Sequence, residues 1–205
     1  MSVVDIVSPP ARVGPECNGM LLTPEEYDVI EDWDEFYRYE LVHGVLIVVP
    51  PAGAGERSPN DELGFILKLF QTQHANGTLI DETLPEQEIR INGNRRRADR
   101  AIWIGLGRTP VLEEDVPTIA VEFVSRGNRD RHRDYVEKRK EYAEAGVKEY
   151  WIIDRFRREM TVFRGAEDET IVPAGGVYRT DLLPGFELVL DRLLEKADLY
   201  RQDEE

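Results

Sequence analysis

One carboxylate of the sequence lies inside an otherwise apolar segment. Glu122 interrupts the run Ile119–Val124, which is typical of a strand buried on both faces. A buried carboxylate has to be paired with a cation, hydrogen-bonded or bound to a metal, because removing its charge from water is costly. The position of Glu122 therefore predicts either an internal ion pair or a functional site.

A second carboxylate, Asp99, precedes the neighbouring apolar stretch Ala101–Ile104. Strand alternation places the side chain of Asp99 on the same face as Ala101 and Trp103. If the two segments pair as neighbouring strands, the carboxylates of Asp99 and Glu122 can converge. Converging carboxylates are typical ligands of a hard cation such as Mg²⁺.

The third ionisable residue is Lys138, which shares one side of a predicted helix with Tyr135, Tyr142 and Ala145. This stripe should face the sheet, and solvated lysines are more often found on the opposite side. Two carboxylates, a metal ion and a lysine are the groups that metal-assisted phosphodiester hydrolysis requires. The metal would polarise the phosphate and lower the pKa of a bound water, and the lysine would stabilise developing negative charge.

Each of the three residues also has a purely structural interpretation. Glu122 could be neutralised by Arg97 or Arg100. Asp99 could be a turn acid at the start of a strand, and Lys138 could extend past its tyrosines to water. The sequence leaves both interpretations open for each residue.

Other catalytic chemistries find little support in the sequence. The three histidines, His43, His74 and His132, are scattered along the chain. They have neither the spacing nor the neighbouring cysteines that are typical of a zinc site. No Gly-x-Ser-x-Gly motif is present, and Cys17 lies in a predicted loose segment, which disfavours serine or cysteine nucleophiles. The glycines of residues 50–57 lack the following Gly-Lys-Ser/Thr of a phosphate-binding loop.

Charge and composition set further limits. The 205 residues contain 26 Lys and Arg against 41 Asp and Glu, a formal net charge of −15, so sequence-independent coating of nucleic acid is disfavoured. The lone Cys17 cannot form an internal disulfide, which favours a reducing, cytoplasmic environment. Residues 1–5 lack a basic segment followed by an apolar stretch, and no apolar run approaches the roughly 20 residues that span a bilayer, so we expect neither secretion nor membrane insertion.

The predicted elements form a single α+β domain with a mixed, helix-flanked sheet. Residues 1–18 are predicted to be a flexible N-terminal arm, residues 19–200 the domain, and residues 201–205 an acidic tail. Thr23-Pro24-Glu25-Glu26 predicts a capped helix start, and a β-hairpin turns at His43-Gly44. Helices are predicted near 63–76, 131–145 and 191–200, with strands near 78–82, 87–91, 99–104, 118–125, 149–154 and 160–164.

These segments match a known family in their order along the chain. The matching segments are Tyr39–Leu46, Asp99 before its apolar strand, Val121–Ser125, the residues Asp134, Lys138 and Tyr142, and Gly146–Asp154. Together they closely resemble the Uma2 family, a bacterial group of restriction endonuclease-like proteins within the PD-(D/E)XK nuclease superfamily. The resemblance covers roughly residues 20–190.

The resemblance implies a restriction-endonuclease-like core and a metal-dependent endonuclease that cleaves phosphodiester bonds, with DNA as the expected substrate. It implies that Asp99 and Glu122 hold Mg²⁺, with Mn²⁺ as a substitute, and that the carbonyl of Phe123 is a further ligand. It makes Lys138 the catalytic lysine and brings Glu40 to the site from the hairpin as a third acid.

The sequence departs from the family pattern at three places. Ala98 replaces the superfamily's proline before the aspartate, and Val124 occupies the lysine position of its Glu-x-Lys motif. The lysine would therefore be displaced onto the following helix, where Lys138 lies. Ser58–Asp61 stands where the family usually carries a histidine before its first long helix.

Positive charge is concentrated in two segments despite the acidic total. Residues 126–140 hold seven Lys and Arg against three acids, and residues 95–97 are all arginine. A solvated helix face accounts for the first segment on charge alone. With the resemblance, Arg97, Arg129 and Arg133 become candidates for contacts to the nucleic-acid backbone.

Two other functional interpretations accompany the nuclease. The fold could persist as a non-catalytic module that binds nucleic acid or protein, although retention of Asp99, Glu122 and Lys138 together argues against it. Superfamily members are often homodimers that cut two strands, so a homodimer is also considered, but the sequence reveals no interface.

Overall fold

The computed structural model describes residues 12–126, 132–165 and 168–200. They form two compact units. One contains the described residues up to Pro51 together with Asn92–Arg96, and the other contains Ala52–Ile91 and the described residues from Arg97 onward. The predicted domain of residues 19–200 spans both units. None of the helices in these ranges is long and apolar enough to cross a membrane.

The first unit is built around a short helix and a β-hairpin. Helix α1 (Pro24–Asp28) begins at a capping box, as predicted: the side chain of Thr23 accepts from the amide of Glu26, and the side chain of Glu26 accepts from the amide of Thr23. Strands β1 (Arg38–Val42) and β2 (Val45–Val49) form the predicted hairpin. His43 and Gly44 both have positive φ in its turn.

Part of the predicted N-terminal arm is packed into this unit. Residues 1–11 lie outside the described residues. Val13 is fully buried, and its backbone exchanges hydrogen bonds with the carbonyl of Asp32 and the amide of Asp34. Pro15–Cys17 form a turn of 3₁₀ helix. The described part of the arm is thus anchored from Val13 onward.

The second unit contains a mixed sheet and the remaining helices. Its elements, with strand β4 shared between the units, are α2 (Ala54–Gln73), β3 (Ile80–Ile91), β4 (Asn94–Ile104), β5 (Ile119–Phe123), a π-helical segment (Arg133–Lys138), α3 (Arg139–Ala145), β6 (Glu149–Asp154), β7 (Glu159–Arg164), β8 (Asp168–Pro173), β9 (Val177–Tyr178), β10 (Leu188–Val189) and α4 (Leu190–Asp198).

Strand β4 begins in the first unit, where Arg95 pairs with Leu41, and continues into the second. There β4 pairs with β3 and antiparallel with β5, β5 pairs parallel with β6, and β6, β7 and β8 pair antiparallel in turn.

Apolar side chains alternate between two cores on the faces of this sheet. Val121 and Phe123 of β5 belong to a core that includes the buried faces of α2 and α4. Ala120 of β5 belongs to a second core that includes Tyr142 of α3. The sheet is therefore flanked by helices on both faces, which confirms the predicted mixed α+β fold.

The structure corrects several predicted elements. Residues 50–57 are predicted to be a loop from their prolines and glycines, but α2 already begins at Ala54 and includes Pro59. The two short strands predicted at 78–82 and 87–91 are one twelve-residue strand, β3. The segment after β7, for which no strand is predicted, adds an edge strand, β8, to the sheet. Turn-forming residues within regular elements caused these differences, because tertiary packing overrides local preference.

Gly64 provides a test of how α2 packs on the sheet. A Cβ at this position would lie 2.6 Å from one guanidinium nitrogen of Arg100, whose side chain is buried. Alanine normally stabilises a helix interior by about 1 kcal/mol over glycine. We expect Gly64→Ala to lower the free energy of unfolding instead, by about 1–3 kcal/mol, because the side chain overpacks a filled site. Urea denaturation measures this effect, and Gln73→Ala, at an exposed position of the same helix, should change stability by less than about 0.5 kcal/mol.

Candidate active site

Asp99 and Glu122 lie at the end of the ladder between β4 and β5. The ladder pairs Ile102 with Ile119 and Arg100 with Val121. Continuing the antiparallel register by one step sets Asp99 opposite Glu122, and residues directly opposite each other project from the same face. The structure thus confirms that the two strands predicted to carry these carboxylates are neighbours.

Side chains replace strand hydrogen bonds where the ladder ends. The amide of Phe123 donates to Oδ2 of Asp99 at 2.7 Å. The side-chain amide of Asn60, on α2, donates to the carbonyl of Asp99 at 2.8 Å. Backbone groups that would be costly to leave unpaired are therefore satisfied by side chains. Both Asp99 and Glu122 are buried.

Lys138 reaches Glu122 from the helix that covers this face of the sheet. Its ammonium lies 2.7 Å from Oε1 of Glu122 and donates to the carbonyl of Arg97 at 2.8 Å. The hydroxyl of Tyr142 donates to the same Oε1 at 3.2 Å. Lys138 is only 2% exposed, which excludes the interpretation that its side chain extends to water. Sequence reasoning considered Arg97 and Arg100 as partners for Glu122, but the carboxylate is paired with Lys138.

Two polar residues of the helix that covers this face of the sheet point inward together. Residues Arg133–Lys138 are π-helical, and α3 continues directly from them. Asp134 and Lys138 are both buried, whereas Tyr135, which α-helical spacing placed on the inward stripe, is only half-buried. Residues four apart lie near the same side of an α-helix as well as of a π turn, so the spacing of Asp134 and Lys138 suits this arrangement in either geometry. Segments of π-helix occur frequently at functional sites.

The electrostatics of Glu122 are those of a charge removed from water. Burial raises its pKa well above the ordinary value, Lys138 lowers it, and Asp99 and Asp134 raise it again. Tyr150 also has a raised pKa, because it is buried close to Glu122 and Asp134. The charges of Asp99 and Asp134 therefore act on a buried Glu122 whose ion-pair partner is the ammonium of Lys138.

The donor set matches the preferences of a hard divalent cation. Within the described residues, Oε1 of Glu122 accepts both of the hydrogen bonds that this carboxylate receives, so Oε2 is the oxygen left for a cation. A cation would relieve the repulsion between Glu122 and Asp99 that raises the pKa of Glu122. The described residues contain no group of three or more His, Cys, Asp or Glu side chains arranged to hold a metal. Mg²⁺ is commonly bound through one or two carboxylates, its other positions being filled by water and substrate phosphate, and the pair Asp99 and Glu122 suits that mode.

Asn60, on α2, connects Asp99 with the next residue of β4, which is the buried Arg100. The guanidinium of Arg100 donates to Oδ1 of Asn60 at 2.7 Å, to the carbonyl of Asn60 at 3.1 Å and to the hydroxyl of Thr83 at 3.1 Å. The pKa of Arg100 is lowered to about 10 by burial, and the charge of Asp61 opposes this shift only in part. Within the described part of the chain, Arg100 forms no ion pair with a carboxylate.

The predicted third acid, Glu40, belongs to the first unit. It is buried on β1, and its carboxylate pairs with the buried guanidinium of Arg96 at 3.2 Å. Glu40 therefore has a structural partner, and its part in the chemistry stays a prediction.

The candidate nucleic-acid contacts have different surroundings. Arg97 is half-buried, and one of its guanidinium nitrogens donates to the carbonyl of Glu86 at 2.6 Å. Arg133, in the π-helical segment, lies with its Nε 3.5 Å from the carboxylate of Asp134. Arg129 lies outside the described residues. Contact of these arginines with nucleic acid stays a prediction.

Sequence reasoning missed Asp134 and Asn60 as members of this site. Asp134 lies four residues before Lys138, the α-helical spacing that places two residues on one face, so the signal was present in the sequence. Asn60 was assigned to the segment replacing a family histidine, and its position on the buried face of α2 requires the helix to begin at Ala54. Tyr150 and Trp151 are buried in the cores on opposite faces of the sheet.

Tyr142 should contribute measurably to the stability of this site. Replacing it with phenylalanine removes the hydroxyl that donates to Oε1 of Glu122, without changing the shape of the ring. A hydrogen bond to a charged group contributes about 1.5–3 kcal/mol, so we expect Tyr142→Phe to lower the free energy of unfolding by that amount. Urea denaturation at pH 8 tests it. Tyr135→Phe, which removes a hydroxyl 3.5 Å from Asp154, should have a smaller effect.

Comparisons with known proteins identify the family and support the fold. The family Uma2, described as "Putative restriction endonuclease", matches residues 24–191. The fold is similar to that of a putative nuclease belonging to DUF820 from Anabaena variabilis ATCC 29413, with a TM-score of 0.69 at 13% sequence identity, covering 86% of this chain and 99% of that one. No curated protein matches the chain in sequence.

Proposed function

The chain belongs to the Uma2 family of restriction endonuclease-like proteins, and from this membership and its buried carboxylate–lysine site we propose that it is a metal-dependent endonuclease acting on DNA. The single observation that carries the proposal is the contact between Lys138 and Glu122 at 2.7 Å. Burying a carboxylate and an ammonium costs several kcal/mol of solvation per ion, and here Tyr142 donates to the carboxylate and the carbonyl of Arg97 accepts from the ammonium, which offsets part of that cost. Strongly perturbed ionisable groups of this kind cluster at functional sites.

The cation expected at Asp99 and Glu122 is Mg²⁺, with Mn²⁺ as a substitute. When bound, it would polarise a phosphodiester and lower the pKa of a water molecule. Lys138 supplies a fixed positive charge next to that position, and its bond to the carbonyl of Arg97 holds the ammonium in place. A preorganised donor of this kind stabilises negative charge that develops during hydrolysis.

Binding of DNA has to overcome the charge of the chain. The formal net charge of −15 repels the phosphate backbone, so binding depends on local cations, for which Arg97, Arg129 and Arg133 are the candidates. Affinity should therefore be low without a specific site and should fall steeply as salt is added.

Cleavage of supercoiled plasmid at low salt tests the proposed function. We expect nicking with Mn²⁺ or Mg²⁺ and none with EDTA. Thermal unfolding in the same metals should move to higher temperature, because a ligand that binds only the folded state stabilises it. Stabilisation by metal without cleavage of DNA or RNA would contradict the nuclease and favour a binding module that retains the fold.

A further inference from the structure

The backbone of Asp99 is held by a side chain from another element. The β4–β5 ladder ends at Arg100 and Val121, and the carbonyl of Asp99 accepts a hydrogen bond from the side-chain amide of Asn60 at 2.8 Å. The carboxylate of Asp99 in turn accepts from the amide of Phe123 at 2.7 Å. The position of this carboxylate therefore depends on contacts that the strand ladder itself does not supply.

Asn60 is itself held in place, because Arg100 donates to both its side chain and its backbone carbonyl. Its side chain is buried, its Oδ1 accepts from Nε of Arg100 at 2.7 Å, and its carbonyl accepts from the same guanidinium at 3.1 Å. The amide of Asn60 cannot flip without breaking the contact to Arg100, because oxygen and nitrogen would exchange places. Thr83 holds the guanidinium from β3 at 3.1 Å.

We propose that Asn60 is a positioning residue for the metal-binding carboxylate: anchored by Arg100, it fixes the main chain of Asp99 and so the direction of its side chain. This inference deepens the proposed function, since it concerns the same site and rests on Asp99 being a metal ligand. Residues that orient metal ligands commonly change metal affinity or activity by about 10–100-fold when they are replaced. No contact of Asn60 with substrate or metal is required.

Asn60→Asp separates this role from a merely structural one. The new carboxylate still accepts from Arg100, and gains a charged contact with an arginine whose other acceptors are neutral. The carboxylate lacks the N–H group that donates to the carbonyl of Asp99, and it brings a second oxygen close to that carbonyl oxygen. We expect an unfolding temperature equal to or above that of the wild type, with an Mn²⁺ dissociation constant raised about tenfold or more.

A readout that needs neither metal nor DNA follows from the Phe123 amide, which donates to the carboxylate of Asp99. In ¹H–¹⁵N spectra of the metal-free protein, the amide proton of Phe123 should move upfield in Asn60→Asp as this hydrogen bond weakens. Thr83→Val removes a different contact of Arg100 and is the matched control. It should lower the unfolding temperature while leaving the Phe123 amide and the Mn²⁺ affinity unchanged.

The outcomes distinguish this proposal from the proposed function. If the wild type neither binds Mn²⁺ nor cleaves DNA but Asn60→Asp still shifts the Phe123 amide, Asn60 positions Asp99 and the nuclease assignment fails. If Asn60→Asp leaves the Phe123 amide and the Mn²⁺ affinity at wild-type values, the positioning role is overturned. Should Asn60→Asp not fold, Asn60→Ala gives the same decision, because Thr83→Val controls for its loss of stability.

Discussion

Glu122→Gln is expected to abolish metal-dependent cleavage while the protein remains folded. The glutamine keeps an oxygen that can accept from Lys138 and Tyr142, so both hydrogen bonds to Oε1 are retained and offset part of the cost of losing the buried ion pair. It replaces the other oxygen with an amide and removes the negative charge, so that the cation loses one of its two carboxylates. We expect the Mn²⁺ dissociation constant to rise more than about 100-fold, beyond the effect of replacing a residue that only orients a ligand.

The rate of plasmid nicking in this variant should fall by about a thousandfold, because the metal contributes several kcal/mol to stabilising the transition state. Titration calorimetry with Mn²⁺ and timed nicking assays measure the two effects. Glu144→Gln, an exposed carboxylate on α3 that contacts Lys140, is the control and should match the wild type in both. Wild-type affinity for Mn²⁺ in Glu122→Gln would show that the cation binds elsewhere.

Lys138→Met is expected to destabilise the protein strongly, and more so at high pH. The methionine leaves Glu122 buried without its ammonium partner, and breaking a buried ion pair in this way costs about 3–5 kcal/mol. The pKa of Glu122 in the folded protein is raised by burial and by the neighbouring carboxylates, and losing Lys138 raises it further. In the unfolded chain, the carboxyl titrates near its ordinary value of about 4.3.

The sign of the pH dependence follows from these two pKa values. At pH values below the pKa of Glu122 in the unfolded chain, the carboxyl is protonated in both the folded and the unfolded state, and the substitution has its smallest effect. As the pH rises toward the pKa of Glu122 in the folded protein, the unfolded state ionises more readily, so the variant loses stability. Urea denaturation at pH 5 and pH 8 should therefore show the larger difference from wild type at pH 8. Lys140→Met, a mostly exposed lysine of the same helix, should show little effect at either pH. An equal loss at both pH values for Lys138→Met would contradict the assignment of Glu122 as the buried charge.

The apolar patterning of the sequence was sufficient to predict part of the site. Glu122 interrupts a buried strand, Asp99 precedes its neighbour, and the pairing of the two strands follows. The inward position of Lys138 was also predicted, although from a stripe calculated for a regular α-helix. Such patterns are informative because a charged side chain in an apolar element needs a specific partner.

Two residues of the site were missed for different reasons. Asp134 lies on the same side of the helix as Lys138, but the predicted inward stripe ran through Tyr135 instead, which is only half-buried in the π-helical segment. Asn60 was overlooked because Gly53, Gly55 and Pro59 indicated a loop, whereas the helix begins at Ala54. Packing of α2 against the buried core outweighed these local preferences.

The most direct test of the central claim is a single comparison of plasmid nicking in Mn²⁺. The wild type, Glu122→Gln, Lys138→Met and Lys140→Met are purified identically and assayed at equal concentration, with EDTA as the metal-free control. We expect equal metal-dependent nicking by the wild type and Lys140→Met, and loss of nicking in both site variants. Equal nicking by all four proteins would contradict the assignment of the catalytic site to Glu122 and Lys138.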